Sequence, residues 1–596
     1  MKIKIRGMSQ DRKLQKLELT WVGKYDEKPA LEPRILIENP EYSYGDGNTG
    51  NMLIHGDNLL ALKALEQDYA GKVKCIYIDP PYNINAANEH YDDLVEHSMW
   101  LNLMQPRLQL LYNLLTDDGL LFVQIDDSEQ AYLTLLLDEI FGRGNRINTI
   151  CVKMSEASGV KMAHIDKRLP KLKEYILIYN KRYVPTITAE KVPIDEWNEE
   201  YKHIIVGLSS GEIDRIHELL RVDAATDDII AECNTLLSKG SIVSLNKYLK
   251  DQRIPISEQN KWKFENAKYI IQAVGSSSVF NLAKTTTLLE QDIMAVKSSS
   301  GLLYLIKTDF DASSKQPRVQ VIFAYENLLR SQGDLWLDIK TTGGVGQEGN
   351  VLFTNSKKPE KLIKKIISMC TREGDLVLDS FLGSGTTAAV AHKMGRKYIG
   401  IEMGHHAYTH CVQRLKQVVK GVDQTGISKA VNWKGGGGFK FYELAPSLLK
   451  EDKFGNLVIN KEYNADMLAA AMAKQEGFTY SPDADNYWKQ GYSSETDFIY
   501  TTTQFMTAEG LAAIHETMGE DESLLICCTS FQKECRSAFP NITIKKIPQM
   551  LLGRCEFGKD DYSLNIIDMP QIEDYDENFE DEDNVQEEQS DYMTLF

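Results

Sequence analysis

Cysteine is scarce in this chain: nine residues in 596, scattered, with no C-x-x-C pair. Such spacing offers neither a disulfide framework nor a zinc site, so no bound metal is expected. Cys527 and Cys528 lie inside the apolar run LLICC, where thiols act as small core groups. Long apolar runs are missing too. No window approaches the ~18 residues of a membrane span. The opening MKIKIRGMSQDRKLQK is charged where a secretory signal needs an apolar stretch. A cytoplasmic location with no membrane partner is the default expectation. No G-x-x-x-x-G-K-[ST] string occurs, which argues against a P-loop motor within this chain.

An excess of cations is also lacking, since the net charge is −19. The deficit is concentrated at one end. Residues 571–596 hold eleven Asp or Glu and no Lys or Arg, and without them the charge is −8. Two basic clusters stand out, KRLPKLKEYILIYNKR (167–182) and KKPEKLIKK (357–365). A mildly acidic average therefore leaves room for a basic groove and a nucleic-acid partner.

The chain organises into six stretches. Residues 1–50 are a polar lead-in. From 51 to 182 apolar strands alternate with helical spacing, as in NMLIHGD, NLLALKAL, VKCIYI, MWLNLMQPRLQLLYNLL and GLLFVQIDD, the pattern of a parallel sheet covered by helices. Residues 183–345 mix polar helices and short strands and read as an inserted domain. The α/β pattern resumes over 346–432. Residues 433–568 form a further mixed α/β domain, entered through WKGGGGF as a flexible joint. The acidic tail, 569–596, is expected to be disordered.

Two strand-end corners carry the chemistry. In VKCIYIDPPYNI a core strand stops at Asp79. Pro80 and Pro81 forbid its continuation and leave carbonyls without competing N–H groups, and Tyr82 adds a flat ring. This corner suits a flat ligand that bears an amino group. In LVLDSFLGSGTT a strand ends at Asp379, Gly383 and Gly385 permit close backbone approach, and a helix starts at Thr386 or Thr387. A helix N-terminus there offers free N–H groups to an anion. Glu402, 23 residues after Asp379, ends the next strand, where a carboxylate can hold ribose hydroxyls. A dinucleotide or S-adenosylmethionine would suit this second corner.

Taken together, DPPY and DSFLGSGTT resemble the amino-methyltransferases of DNA. HGDNLLALKAL resembles their Gly-Asp segment, and NSKKPEKLIKKII the segment ahead of the glycine turn that helps hold the methionine end of the cofactor. The order DPPY, insertion, KPEKL, glycine turn is that of the β class. LTWVGKYDEKPALEPRILIENP and the stretch from NMLIHGD to YIDPPYNI look like modification subunits of type III restriction-modification systems. The resemblance implies an S-adenosylmethionine-dependent methyltransferase fold, α/β with a mostly parallel twisted sheet and helices on both faces, and a target-recognition domain at 183–345. It implies methyl transfer to adenine N6 of a flipped-out base in double-stranded DNA, with cytosine N4 as the alternative target. Asp79, Pro80, Pro81 and Tyr82 would be catalytic. Asp57, Asp379, Phe381, Gly383, Gly385, Thr386 and Glu402 would bind S-adenosyl-L-methionine, with Asp57 near its adenine. A helicase-nuclease (restriction) subunit and a second copy of the chain are the implied partners. A stand-alone methyltransferase and a DNA-specificity scaffold remain alternatives. Cytosine C5 chemistry would need a cysteine nucleophile after a proline, and no Pro-Cys dipeptide occurs.

Overall fold

The computed structural model describes residues 18–82, 93–155, 169–313, 317–339, 345–353 and 357–562. The acidic tail and residues 156–168, which include the start of the first basic cluster, lie outside them. The chain divides into two compact units, one of Met1–Thr186 with Leu337–Phe596, the other Ile187–Trp336.

The first unit is built on one large sheet. Its strands are β1 (Met52–His55), β2 (Val73–Ile78), β3 (Leu115–Ile125), β4 (Arg146–Lys153), β5 (Lys173–Asn180), β6 (Leu376–Asp379), β7 (Lys397–Glu402) and β8 (Gly438–Leu444). Their spatial order is β8-β1-β7-β6-β2-β3-β5-β4. The run from β8 to β3 is parallel throughout, while β5 is antiparallel to both β3 and β4. Leu36–Glu38 of the lead-in pairs antiparallel with the outer side of β8.

Why these residues form central strands is plain from their burial. Five of the six residues of β2 are buried, and Val73, Cys75, Ile76 and Ile78 have no exposed surface. A strand covered on both faces has to be apolar on both, which abolishes the polar alternation of an open sheet. The helices divide by direction of travel. From β1 through β2 to β3 the chain moves one way across the sheet, by way of α1 (Asn58–Tyr69) and α2 (Asp93–Leu114). From β6 to β7 it moves the other way, by way of α4 (Glu360–Cys370) before and α5 (Thr386–Lys393) between. Right-handed crossovers then put the two groups on opposite faces. On the first face α3 (Gln130–Leu137) packs on α2, and on the second α6 (Val412–Lys420) packs on α5.

The glycine run does not behave as a loose joint. The indole of Trp433 donates to the Val418 carbonyl (2.8 Å), Gly436 N–H donates to Val419 (2.8 Å), and the chain passes directly into β8. The main sheet thus extends past residue 433, because β8 finds an unpaired edge on β1. Beyond it, Asp497–Met506, Ser523–Phe531 and Ile542–Lys546 form a parallel set, with Gly491–Tyr492 and Thr479–Tyr480 added antiparallel.

The second unit is a six-stranded antiparallel sheet, ordered Ser241–Ser244, His203–Val206, Ile270–Gly275, Arg318–Phe323, Leu303–Lys307, Ile293–Lys297. Its helix Ser210–Leu219 begins with a capping box, Ser209 and Glu212 each satisfying the other's backbone.

A fully buried charge network ties the second helical face together. Lys393 on α5 lies 2.8 Å from Glu360 on α4 and 2.6 Å from Asp423, while Arg414 on α6 lies 2.8 Å from Glu360. None of these side chains has exposed surface. Removing one partner from a buried network leaves an uncompensated charge. Lys393→Met should therefore destabilise the chain by about 3–5 kcal/mol, read as a lowered denaturation midpoint in urea.

Candidate active site

The strand order reverses between β6 and β2. From β6 the chain continues leftward to β7, and from β2 rightward to β3. In open α/β sheets the crevice beyond the carboxyl ends at such a point is where ligands bind. Both corners end there, since Asp379 closes β6 and Asp79 follows directly on β2. Parallel pairing of Val377 with Cys75 and Leu378 with Ile76 sets them side by side.

At the first corner the prolines give the two carbonyls different fates. The indole N–H of buried Trp100 donates to Pro81 O (2.7 Å). No described residue donates to Pro80 O, which leaves it available beside the Asp79 carboxylate. The Tyr82 hydroxyl lies 2.7 Å from Asp79 Oδ1 and 2.8 Å from Glu174 Oε2. Lys358 Nζ lies 3.1 Å from Asp79 Oδ2 and 3.3 Å from Glu174 Oε2. Burial pushes Asp79 above the usual carboxylate range, opposed by the Lys358 ammonium and reinforced by Glu174. Burial also pulls Lys358 down, but its two carboxylate neighbours outweigh that and leave it above its ordinary value.

At the second corner Asp379 is turned inward. It accepts from Phe381 N–H (2.9 Å) and from the Thr387 hydroxyl (2.6 Å), closing the turn on itself. Burial pushes its carboxyl up to about 7 against these two donors. Gly383 and Gly385 have φ of +57° and +80°, left-handed values that favour glycine. A Cβ on Gly383 would meet no atom within 4 Å, so the turn faces open space at that point. Glu402 accepts from Gly383 N–H (2.7 Å) through Oε2 and from Gly404 N–H (2.8 Å) through Oε1, with His406 Nε2 3.0 Å from Oε1. Oε2 retains acceptor capacity. The Thr386 hydroxyl is taken by Arg414 (2.7 Å). Phe381 and Tyr82 are partly buried against the same core.

Asp57 plays a different part from its neighbours. It caps α1, accepting from Leu59 N–H (2.9 Å) and Leu60 N–H (3.1 Å). Its other oxygen takes Tyr562 N–H (3.0 Å) and lies 3.4 Å from Arg107. Both oxygens are thus engaged by the protein.

The basic clusters are less available than their sequence suggested. Lys357 donates to the carbonyls of Gly346, Glu348 and Val351, and burial pushes it down to about 8. Lys361 and Lys365 both pair with Asp338. In the first cluster Lys171, Lys173 and Arg182 pair with Asp126, Asp127 and Asp117. Lys358 and Glu174 were missed as site residues. Lys358 was hidden among other lysines, and Glu174 carried only the weak signal of an acid opening the strand KEYILIYNK.

A family model described as DNA methylase matches residues 73–413, more than half of the chain and both corners. The chain belongs to the DNA methylase family. Among curated proteins it is similar to the probable type III restriction-modification enzyme HindVI Mod subunit of Haemophilus influenzae. The two are 36% identical over 68% of this chain and 55% of that protein. It is also similar to the StyLTI Mod subunit of Salmonella typhimurium (26%, over 62% and 55%) and to the EcoP15I Mod subunit of Escherichia coli (24%, over 87% of each). The chain spans about half the length of the first two relatives and most of the third. Among the described residues no cluster of His, Cys, Asp or Glu is arranged to hold a metal ion, and no helix is long and apolar enough to cross a membrane.

The Asp379 carboxyl should make stability depend on pH. The folded protein keeps its proton up to about pH 7, whereas an unfolded Asp releases it near pH ~3.9. The folded state then binds more protons across that window, so stability should fall as pH rises through it. Asp379→Asn should flatten that part of the melting-temperature profile between acid and neutral pH.

Proposed function

We propose that this chain methylates adenine N6 in double-stranded DNA, with S-adenosylmethionine as methyl donor, as the modification and recognition subunit of a type III-like restriction-modification system. One observation carries the reading. Asp79 and the adjoining Pro80 carbonyl, to which no described residue donates, stand at the switch point, at the end of the strand next to the glycine turn.

The arrangement fits the cofactor. Gly383 faces open space, the N–H groups at the start of α5 suit a carboxylate, and Glu402 Oε2 can accept from a ribose hydroxyl. S-adenosylmethionine supplies a methyl group on a sulfonium. The chain's own residues then have to make a poor nucleophile attack. An exocyclic amino nitrogen delocalises its lone pair into the base. Two acceptors, Asp79 and Pro80 O, take its two N–H bonds and favour a tetrahedral nitrogen whose lone pair is free. Positive charge developing on that nitrogen is stabilised by the Asp79 carboxylate. The methylated ammonium is strongly acidic, so Asp79 need not be a strong base, and positioning supplies much of the effect. Flipping the base from the duplex costs a few kcal/mol, offset by these hydrogen bonds and by stacking on the Tyr82 ring.

The Ile187–Trp336 unit is proposed to read the target sequence, where the major groove carries the usable code. A helicase-nuclease subunit and a second copy of this chain are the proposed partners.

Single-molecule sequencing of DNA from a host expressing the chain should show N6-methyladenine at one recognition sequence. N4-methylcytosine would overturn the choice of base, and unmodified DNA the enzymatic reading. Asp79→Ala should lower methylation at least about a hundredfold with cofactor binding kept in calorimetry. Gly383→Val should lose the binding itself, because its side chain would fill the space before the turn.

A further inference from the structure

Two side chains, Tyr82 and Lys358, touch Asp79, and Glu174 and Gln124 stand behind them. Tyr82 comes from the corner itself, Glu174 from β5, Gln124 from β3 and Lys358 from the segment before α4. Glu174 Oε2 is fixed by the Gln124 amide (2.5 Å), and Gln124 Oε1 accepts from the Tyr77 hydroxyl (2.6 Å) of β2. Lys358 donates to the Tyr82 hydroxyl (3.0 Å), and its ammonium lies 5.0 Å from the centre of the Tyr82 ring. The side chains of Lys358, Asp79 and Glu174 are only 13–20% exposed. Two carboxylates therefore share one cation in a mostly enclosed space.

The two oxygens of Asp79 are held differently. Oδ2 faces the ammonium, and Oδ1 faces a phenol. The Tyr82 hydroxyl has a single proton and two carboxylate oxygens within reach, Asp79 Oδ1 and Glu174 Oε2. It can leave the first for the second without losing a hydrogen bond. An arriving amino group needs one of the Asp79 oxygens, and Oδ1 is the one that can be freed at little cost.

We infer that Lys358 is a positioning residue that holds Asp79 Oδ2 and keeps the carboxylate charged, while Glu174 takes over the Tyr82 hydroxyl when a substrate amino group displaces it from Oδ1. The inference rests on the proposed amino-methyl transfer at Asp79. It gives Lys358 a task at the base-facing acceptor, distinct from the one its segment suggested, the methionine end of the cofactor. Electrostatics supports it. Burial pushes the Asp79 carboxyl up, Lys358 is the charge that opposes this, and Glu174 acts in the contrary sense. Among the described residues, the other titratable groups that interact with Asp79 are Tyr82, Tyr77 and Asp379.

The test is single-turnover methylation of duplex DNA across pH, with cofactor affinity measured by calorimetry on the full chain. Lys358→Met should slow transfer by about a hundredfold at neutral pH. Its acidic limb should move up by about one unit or more, with cofactor affinity kept. Lys358→Arg should restore most of the rate and the original limb. Glu174→Gln should move the limb the other way, because it removes a like charge. A merely structural role for either residue would not produce shifts of opposite sign. A Lys358→Met profile with an unmoved limb would overturn the inference, and so would a loss of cofactor affinity in that variant. Asp79→Ala in the same assay separates the two levels. If it is inactive while Lys358→Met behaves normally, only the present inference fails. If Asp79→Ala is itself active, the proposed chemistry fails.

Discussion

The parallel pairing of β2 with β6 is the contact on which the rest of the structure depends. Val377 lies against Cys75 and Leu378 against Ile76, residues about three hundred positions apart. Closing so long a loop is entropically expensive, though the cost grows only slowly with length. Two strands buried on both faces supply the apolar area that offsets it. Once they pair, Asp79 and the glycine turn become neighbours. The chain can then carry a whole compact unit between them, because Ile187–Trp336 has its own sheet and its own core.

Charge burial is handled in two ways around that seam. On the second helical face Glu360, Asp423, Lys393 and Arg414 are matched two against two and fully enclosed. Such a network fixes geometry strongly, because loss of any member strands its partner. It links α4, α5 and α6, and through the Arg414–Thr386 bond it reaches the helix that follows the glycine turn. At the DPPY corner the balance is deliberately uneven, two carboxylates and one ammonium, with partial access to solvent. The first arrangement resists change. The second leaves hydrogen bonds that can be exchanged, as a site for an incoming amino group requires.

Segments near both ends of the described residues are tied to the main sheet or to the cap of its first helix. Leu36–Glu38 pairs with β8, and β8 pairs with β1. Tyr562, near the end of the described residues, reaches Asp57 through its backbone N–H. Asp57 therefore serves the fold directly, as helix cap and as acceptor for two remote segments. Its expected place beside a cofactor adenine would have to be shared with those bonds.

Much of this was legible in the residues alone. VKCIYI ends at Ile78, where the prolines remove the donors a strand needs, and that boundary follows from covalent structure. DLVLD, the glycine turn and KYIGIE read correctly for the same reason, since strand, left-handed turn and helix start are local preferences. The mix of polar helices and short strands in the insertion was likewise legible, with SGEIDRIHEL as a helix and RVQVIF as a strand. What sequence did not disclose were pairings between distant side chains. KKPEKLIKK reads as a basic face, yet Lys357 turns to carbonyls, Lys361 and Lys365 to Asp338, and Lys358 to Asp79. WKGGGGF reads as a joint, yet it leads directly into a sheet strand. The amino-acid sequence by itself determined the two corners, because backbone chemistry acts over a few residues. Only the tertiary structure decided which lysine faces Asp79 and which acid braces it, because Coulomb and hydrogen-bond partners are chosen by distance in space.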